Sequence, residues 1–437
     1  MDIEYEIQNS KGDPERLEQL YQSAQKDGQT ELFQSLISTS FEEEPENLLF
    51  AAWFYRLQHI TLVEKKASIN WILAIPLGIL TGLIFWLLSD VDNLVYLDHL
   101  PYLILWWSPV ATMSALLFLS FTAKKNQVRA VLLGLGLCSI TAYAMLVAPG
   151  LDVPWKINHY LDLAAIHIPL LCWVALGISV LGFKSSEEDR FAFLIKSIEV
   201  IITAGLYLIA GAVLVGITIG MFSALSIEIP EIWLRLIIAG GIGLVPVLAI
   251  ASVYDPTVAA SDQDFDQGLS KFIATMMRLL LPLTLGVLVI YIMVIPFYFF
   301  EPFINRDVLI VYNLMLFAIM ALLLGATPIS NADLSPKIQK WLRYGIICVA
   351  ILAGLVSIYA LSATISRTEE GGWTLNRLTI IGWNIINILI LIWLTIQQFR
   401  SRVENWIDSL HAVFSSASVA YMVWGLFVVL AMPWLFQ

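Results

Sequence analysis

Eleven apolar runs, each near the ~20 residues an α-helix needs to cross the hydrocarbon core of a bilayer, constrain this chain more than any other feature. They fall at about 69–89, 101–122, 129–148, 161–182, 191–222, 233–252, 279–300, 308–325, 345–364, 378–396 and 412–435. Backbone groups in hydrocarbon find no water, and a helix satisfies them within one segment. The expected fold class is therefore all-α: a polytopic transmembrane helical bundle over residues 67–437, preceded by a small soluble helical segment over residues 1–66. Composition points the same way. Charged residues make up 14% of the chain, against about 25% in soluble proteins, and the mean hydropathy is +0.79. The lipid bilayer is thus the first partner expected.

The leading segment differs in character. Of a net charge of −11, residues 1–66 contribute −7, with 13 acidic and 6 basic side chains, which argues against a nucleic-acid partner. Pro14 can open a helix with Leu17, Leu20 and Tyr21 on one face, closed by Asp27-Gly28. Leu32, Phe33, Leu36 and Ile37 give a second helix. After Glu42-Glu43-Glu44-Pro45, a third carries Leu48, Leu49, Ala52, Trp53, Tyr55 and Arg56 toward Lys65-Lys66. Three such helices can bury one another as a stack, serving either as a cap on the membrane surface or as a docking domain for a cytoplasmic protein partner. The first 48 residues lack the pattern of a cleavable signal peptide, so the first span is expected to act as the insertion signal.

Orientation follows from the basic residues. Alternating spans place 15 Lys and Arg of the membrane part on one side, including Lys65, Lys66, Lys124, Lys125 and Arg129, and 5 on the other: Lys156, Arg235, Arg306, Arg367 and Arg377. The positive-inside rule then puts the N-terminus in the cytoplasm and Gln437 outside. Trp106, Trp107, Trp155, Trp233, Trp373 and Trp434 fall near the expected outer boundary, where interfacial aromatics sit.

Several spans carry helix-disturbing residues: Pro76 and Gly78, Pro109, Gly240-Gly241-x-Gly243 with Pro246, and Pro282 with Pro296. Broken helices of this kind bind substrate in transporters, whereas kinks and close glycine contacts occur in any bundle. Gly216-x-x-x-Gly220 reads as such a close contact.

No Walker loop, His-Glu-x-x-His, Cys-x-x-Cys or Gly-x-Ser-x-Gly occurs, so the usual residues of nucleotide, zinc-protease and serine-hydrolase chemistry are missing. No catalytic role, cofactor or metal is assigned from sequence. Cys138, Cys172 and Cys348 lie in apolar runs and read as buried small hydrophobes. A membrane-embedded transferase would have to use the loop acids and histidines Asp90, Asp92, Asp98, His99, Asp152, His159, Asp162 and His167, which solvated loops explain equally well. Glu199 is harder to explain, because an acid inside a span is costly and marks a functional site by default. Lys196, three residues earlier, shares its face and would make the pair structural; the alternative is a proton or cation relay. Asn313, Asn384 and Asn387 are the other intramembrane polar candidates, of the kind that ties helices together.

Three apolar runs over 269–364 lead to a polar stretch, Ser366 to Arg377, before the tenth run. Within it Thr374 is placed to cap the tenth helix. Arg377 in the first turn opposes the helix dipole and calls for an acid, with Glu369 or Glu370 nearest across Gly371-Gly372, while Trp373 anchors the loop. The segment Gly372-Trp373-Thr374-Leu375-Asn376-Arg377, following runs that carry Pro282, Tyr291 and Pro336, resembles a bacterial membrane family catalogued as domain of unknown function 4153. The resemblance covers the C-terminal part of the chain closely and the earlier spans loosely. It implies the plasma (inner) membrane of a bacterium and carries no activity with it. The functional expectation is a transporter-like or permease-like bundle with an unidentified substrate; a receptor or assembly subunit, docking its partner through residues 1–66, is the alternative. Nothing in the sequence addresses the oligomeric state.

Overall fold

The computed structural model of the chain describes residues 3–26, 30–64, 69–265, 268–330 and 334–436. It separates into two compact units, Met1–Ser68 and Ile69–Gln437. The first contains four helices: α1 Ile3–Asn9, α2 Pro14–Lys26, α3 Thr30–Glu43 and α4 Leu48–Glu64. Their core is Ile7, Leu17, Leu20, Tyr21, Ala24, Phe33, Ile37, Phe50, Trp53 and Leu57. Helix α1 has no counterpart in the sequence reading, because it gives only Ile7 to that core and so shows no apolar period. The inward face of α4 also differs from expectation. Phe50, Trp53 and Leu57 are buried, while Leu48 and Tyr55 stand exposed. Arg56 remains at the surface, its guanidinium 4.5 Å from the Trp53 ring and 2.8 Å from Glu18. Asp27-Gly28 and Lys65-Lys66 lie outside the described residues.

Among the described residues the second unit is a bundle of eleven apolar helices long enough to span a membrane: α5 Trp71–Leu88, α6 Tyr102–Ala123, α7 Gln127–Gly150, α8 Pro154–Leu181, α9 Glu187–Ala224, α10 Glu231–Val253, α11 Gly268–Tyr298, α12 Asp307–Ala326, α13 Pro336–Gly371, α14 Leu375–Arg400 and α15 Trp406–Leu435. Between α5 and α6 the chain adds a small antiparallel hairpin, β1 Val95–Tyr96 with β2 Leu100–Pro101. Helices α5, α6 and α10 share one core around Phe118, Val247 and Tyr254. Helices α11 to α15 share another, which Phe191 and Leu194 of α9 join. A third ties α6, α7 and α8 to the last turns of α15.

Polar contacts near the helix ends define two faces of the bundle. On the face where α5 begins, here the proximal face, Arg129 donates to the Ile178 carbonyl, Arg343 to the Ser401 carbonyl, and Ser415 to the Glu187 carbonyl. On the distal face Lys156 donates to the Phe436 carbonyl, Arg367 to the Ile304 carbonyl, and Arg235 pairs with Asp90 at 3.1 Å. Arg129, Lys156, Arg343 and Arg367 thus meet backbone carbonyls at or near helix C-termini, where intrahelical donors run out, while Arg235 takes a carboxylate.

Among the described spans the helix-disturbing residues act as kinks and close contacts, not as breaks. Pro76, Pro109, Pro246 and Pro282 all sit inside continuous helices, and Pro296 lies in the 3-10 turn that ends α11. In α10 a π-turn at Leu236–Gly240 takes up the irregularity without opening the helix. Its glycines let α10 touch the backbone of α5: a Cβ on Gly82 would stand 2.5 Å from the Gly240 oxygen, and one on Gly243 2.7 Å from the Gly82 Cα. Gly216 and Gly220 behave in the opposite way to expectation. Nothing lies within 4 Å of a Cβ built on either, so that half of α9 faces outward and the motif makes no helix contact. Cys348 is exposed and Cys138 half-buried, leaving only Cys172 as the buried thiol expected.

These contacts set a testable contrast. Gly243→Leu forces α5 and α10 apart and should lower stability by about 3 kcal/mol, the upper end for an overpacked core, whereas Gly216→Leu should leave it unchanged. Thermal unfolding in detergent reads both; equal effects would contradict the packing described.

Candidate functional site

Helix α9 has 38 residues, or about 57 Å at 1.5 Å per residue, well beyond a hydrocarbon core of about 30 Å. Its proximal turns therefore have room to lie outside the most apolar zone, and there Lys196 and Glu199 meet. Lys196 Nζ lies 2.7 Å from Glu199 Oε2, 2.5 Å from the Asp264 carbonyl and 3.0 Å from Ser270 Oγ. The Ser270 hydroxyl donates to the same Glu199 oxygen, and the ammonium stands 4.7 Å from the centre of the Phe265 ring. Lys196 and Glu199 are only 4% and 9% exposed. Three segments thus converge on one charge pair: α9, the start of α11, and the loop 254–265 that roofs it. Taking both charges out of water costs several kcal/mol, recovered only when the geometry is good and the remaining donors find acceptors. Each proton of this ammonium has an acceptor within reach.

Sequence could not show the partners Ser270 and Asp264, which lie more than sixty residues away along the chain. It also could not show the cavity beside the pair. Between α6, α8, α9 and α10 lies a space of about 520 Å³, with Lys196 the only charged side chain on its wall among the described residues. Ala111, Cys172, Leu176, Ala204 and Ala249 line its depth. Along α9 the wall runs from Phe193 to Leu208, and the exposure of Ile201 and Leu208 shows that it opens sideways on the apolar perimeter. Two hydroxyls at this wall are buried without a hydrogen-bond partner among the described residues, Ser108 and Tyr254.

The three asparagines lie elsewhere. Asn384 Nδ2 donates to Asn313 Oδ1 at 2.8 Å and to the Ile380 carbonyl at 3.0 Å, joining α14 to α12. Asn387 receives the Tyr421 hydroxyl and donates to the Trp383 carbonyl, joining α14 to α15. No hydrogen bond among the described residues connects these pairs with Lys196 or Glu199.

The loop acids and histidines do not converge on one point either. His99 pairs with Asp162 at 2.9 Å. His167 is buried within α8, one ring nitrogen 2.7 Å from the Leu163 carbonyl and the other accepting from Trp383 Nε1 at 3.0 Å. That fixes the Nδ1-H tautomer and leaves no nitrogen free for a ligand. Among the described residues no group of three or more His, Cys, Asp or Glu stands close enough to hold a metal ion.

The stretch from Ser366 to Arg377 is mostly not a loop. Helix α13 continues through Glu369, Glu370 and Gly371, and only Gly372, Trp373 and Thr374 separate it from α14. Gly372 turns the chain at φ +79°, in the left-handed region that favours glycine. Thr374 Oγ1 accepts from the Arg377 amide at 3.3 Å, the N-cap bond. The expected contact of Arg377 with Glu369 or Glu370 is not made. Its guanidinium donates to the Gly372 carbonyl at 2.6 Å, because the negative C-terminal end of α13 lies closer than any carboxylate and offsets the positive end of α14. Trp373 projects outward, 62% exposed.

Comparisons with protein-family models, with curated proteins and with solved structures return no match for this chain.

Two measurements check this account. Glu199→Gln leaves Lys196 buried without a counter-charge and should destabilise by about 3 kcal/mol, while the double variant Lys196→Met/Glu199→Leu should recover most of that loss; a harmless single variant would contradict the pairing. On the distal face, the Asn93 side-chain hydrogen bond, assisted by Arg235, holds the Asp90 carboxyl below its ordinary 3.8. A depressed carboxyl stabilises the fold above its unfolded pKa and loses that contribution as pH falls through the folded one. The melting-temperature gap between the native chain and Asp90→Asn should therefore be full at pH of about 6 and narrow progressively as pH falls below about 4.

Proposed function

We propose that this multi-pass membrane protein is permease-like and takes a lipophilic substrate sideways from the bilayer into the space between α6, α8, α9 and α10. The observation that carries this reading is the cavity itself, which is apolar over most of its wall, open on the lipid-facing perimeter and bounded at one point by Lys196. Pockets of about 300–1,000 Å³ with few polar groups are typical of sites for small apolar ligands. Continuous helices weigh against substrate binding by unwound backbone, so side chains would carry recognition. The buried ion pair then works as a latch, holding α9 against α11 and the 254–265 loop so that the cavity keeps its shape, and a proton relay through Glu199 is not part of the reading.

The orientation proposed is N-terminus in the cytoplasm, in the inner membrane of a bacterium, with kinship to the domain of unknown function 4153 family supported by Gly372 to Arg377. The proximal face is then cytoplasmic. A second reading, docking of a cytoplasmic protein by residues 1–66, is favoured by Leu48 and Tyr55, which stand exposed although the core of that unit is filled without them. Photo-cross-linking from position 48 in cells separates it from a surface cap: one protein adduct supports docking, lipid adducts alone sink it.

The permease reading is tested in vesicles. Reconstituted protein should speed transfer of a fluorescent single-chain lipid analogue across the bilayer, and Ala204→Trp, which fills the cavity, should remove most of that gain. Wild-type flux no faster than in protein-free vesicles would overturn it.

A further inference from the structure

A second, polar pocket of about 280 Å³ lies at the proximal face, lined by Ser120, Lys125, Asn126, Ser179, Asp189 and Thr257, and it shares Leu119, Val180 and Tyr254 with the apolar cavity. We propose that the two spaces together hold one phospholipid whose head group carries a phosphate and a primary ammonium, with an acyl chain in the apolar cavity. This rests on the reading of that cavity as a place for a lipophile and adds the head group.

Order along the helices comes first. The polar pocket is built from the proximal ends of α6, α8 and α9 with the start of the 254–265 loop. The apolar cavity continues from it along α9 as far as Leu208, about 18 Å beyond Lys196 at 1.5 Å per residue. Head at the interface and tail toward the midplane is how a lipid of the proximal leaflet stands.

Charge comes second. Lys125 and Asp189 both face this pocket, and among the described residues neither is in an ion pair. Asp189 accepts from the Ser186 hydroxyl at 2.8 Å and from the amide, at 3.2 Å, and the side chain of Ser261, which leaves a carboxylate with about four acceptor sites room for one further donor. One cation and one anion in a single pocket complement a zwitterion. A phosphate matches Lys125, and an ammonium with N–H donors matches Asp189 by a charge-assisted hydrogen bond. A quaternary ammonium has no N–H to donate, and a head group with phosphate alone leaves Asp189 facing a like charge.

Tyr254 supplies an independent sign. Its side chain stands in the wall common to both spaces, it is 7% exposed, and its hydroxyl has no hydrogen-bond partner among the described residues. A buried hydroxyl without a partner is destabilising by about 1–3 kcal/mol. Phosphate and ester oxygens of a seated lipid fall at this level, between head and tail, and would accept from it.

The test uses the full-length chain in a nonionic detergent, with binding read by native mass spectrometry. The ligands are phosphatidylethanolamine, phosphatidylcholine and phosphatidylglycerol with identical acyl chains. Phosphatidylethanolamine should bind about tenfold more tightly than the other two. Asp189→Asn should erase that preference, whereas Lys125→Gln and Tyr254→Phe, whose partners are the phosphate and ester oxygens common to the three lipids, should weaken all three alike without lowering the melting temperature of the lipid-free protein, as should the cavity-filling Ala204→Trp. Equal affinity for the three head groups, or a preference untouched by Asp189→Asn, overturns the proposal. Selective binding without vesicle flux keeps this site and overturns the permease reading; flux without head-group preference does the reverse.

Discussion

Lys196 is 4% exposed, its ammonium held by Glu199, Ser270 and the Asp264 carbonyl, and much of the membrane unit is arranged around that fact. A buried ammonium is tolerated only with a counter-charge and with acceptors for its protons. Supplying them requires α9, α11 and the roof loop to meet at one point. With α9 fixed there, its next turns form one wall of the apolar cavity, and α6, α8 and α10 form the others. The π-turn of α10 and the glycine contact with α5 seat the far wall by letting two backbones touch. A single desolvated charge pair therefore links the packing of the bundle to the shape of the apolar cavity.

The same economy recurs at the helix ends. Arg129, Arg343, Arg367 and Arg377 all donate to backbone carbonyls at or near helix C-termini. For Arg377 this replaced the carboxylate that local sequence made the obvious partner. The reason is geometric: α13 runs on through Glu369 and Glu370, turning both toward the surface, and brings its own carbonyl end next to the guanidinium. A carbonyl terminus satisfies an arginine with little loss of side-chain freedom, since the partner is already rigid.

The spans were legible because hydrocarbon tolerates so few alternatives: wherever about twenty apolar residues occurred, a helix followed. Thr374 was legible as a cap for a similarly local reason. Long-range partners were not. The i,i+3 spacing showed that Lys196 faces Glu199, but Ser270 and Asp264 come from another helix and a loop, and no local pattern places them. Gly240-Gly241-x-Gly243 and Gly216-x-x-x-Gly220 look alike in sequence, yet one sits against the α5 backbone and the other against nothing in the chain, because glycine spacing says which face is small and not what meets it. The cavity was invisible for the same reason: its wall draws on four helices, and each contributes ordinary apolar residues.

The central claim is that the deep part of the space beside Lys196, around Ala204, communicates with hydrocarbon and not with water. Spin-label accessibility at Ala204→Cys, with Cys138, Cys172 and Cys348 replaced by alanine and the protein in vesicles, measures this directly. The account predicts collisions with oxygen, which concentrates in the apolar bilayer, and little or none with a water-soluble nickel reagent. Strong quenching by the nickel reagent at Ala204 would show an aqueous path into the bundle and contradict it.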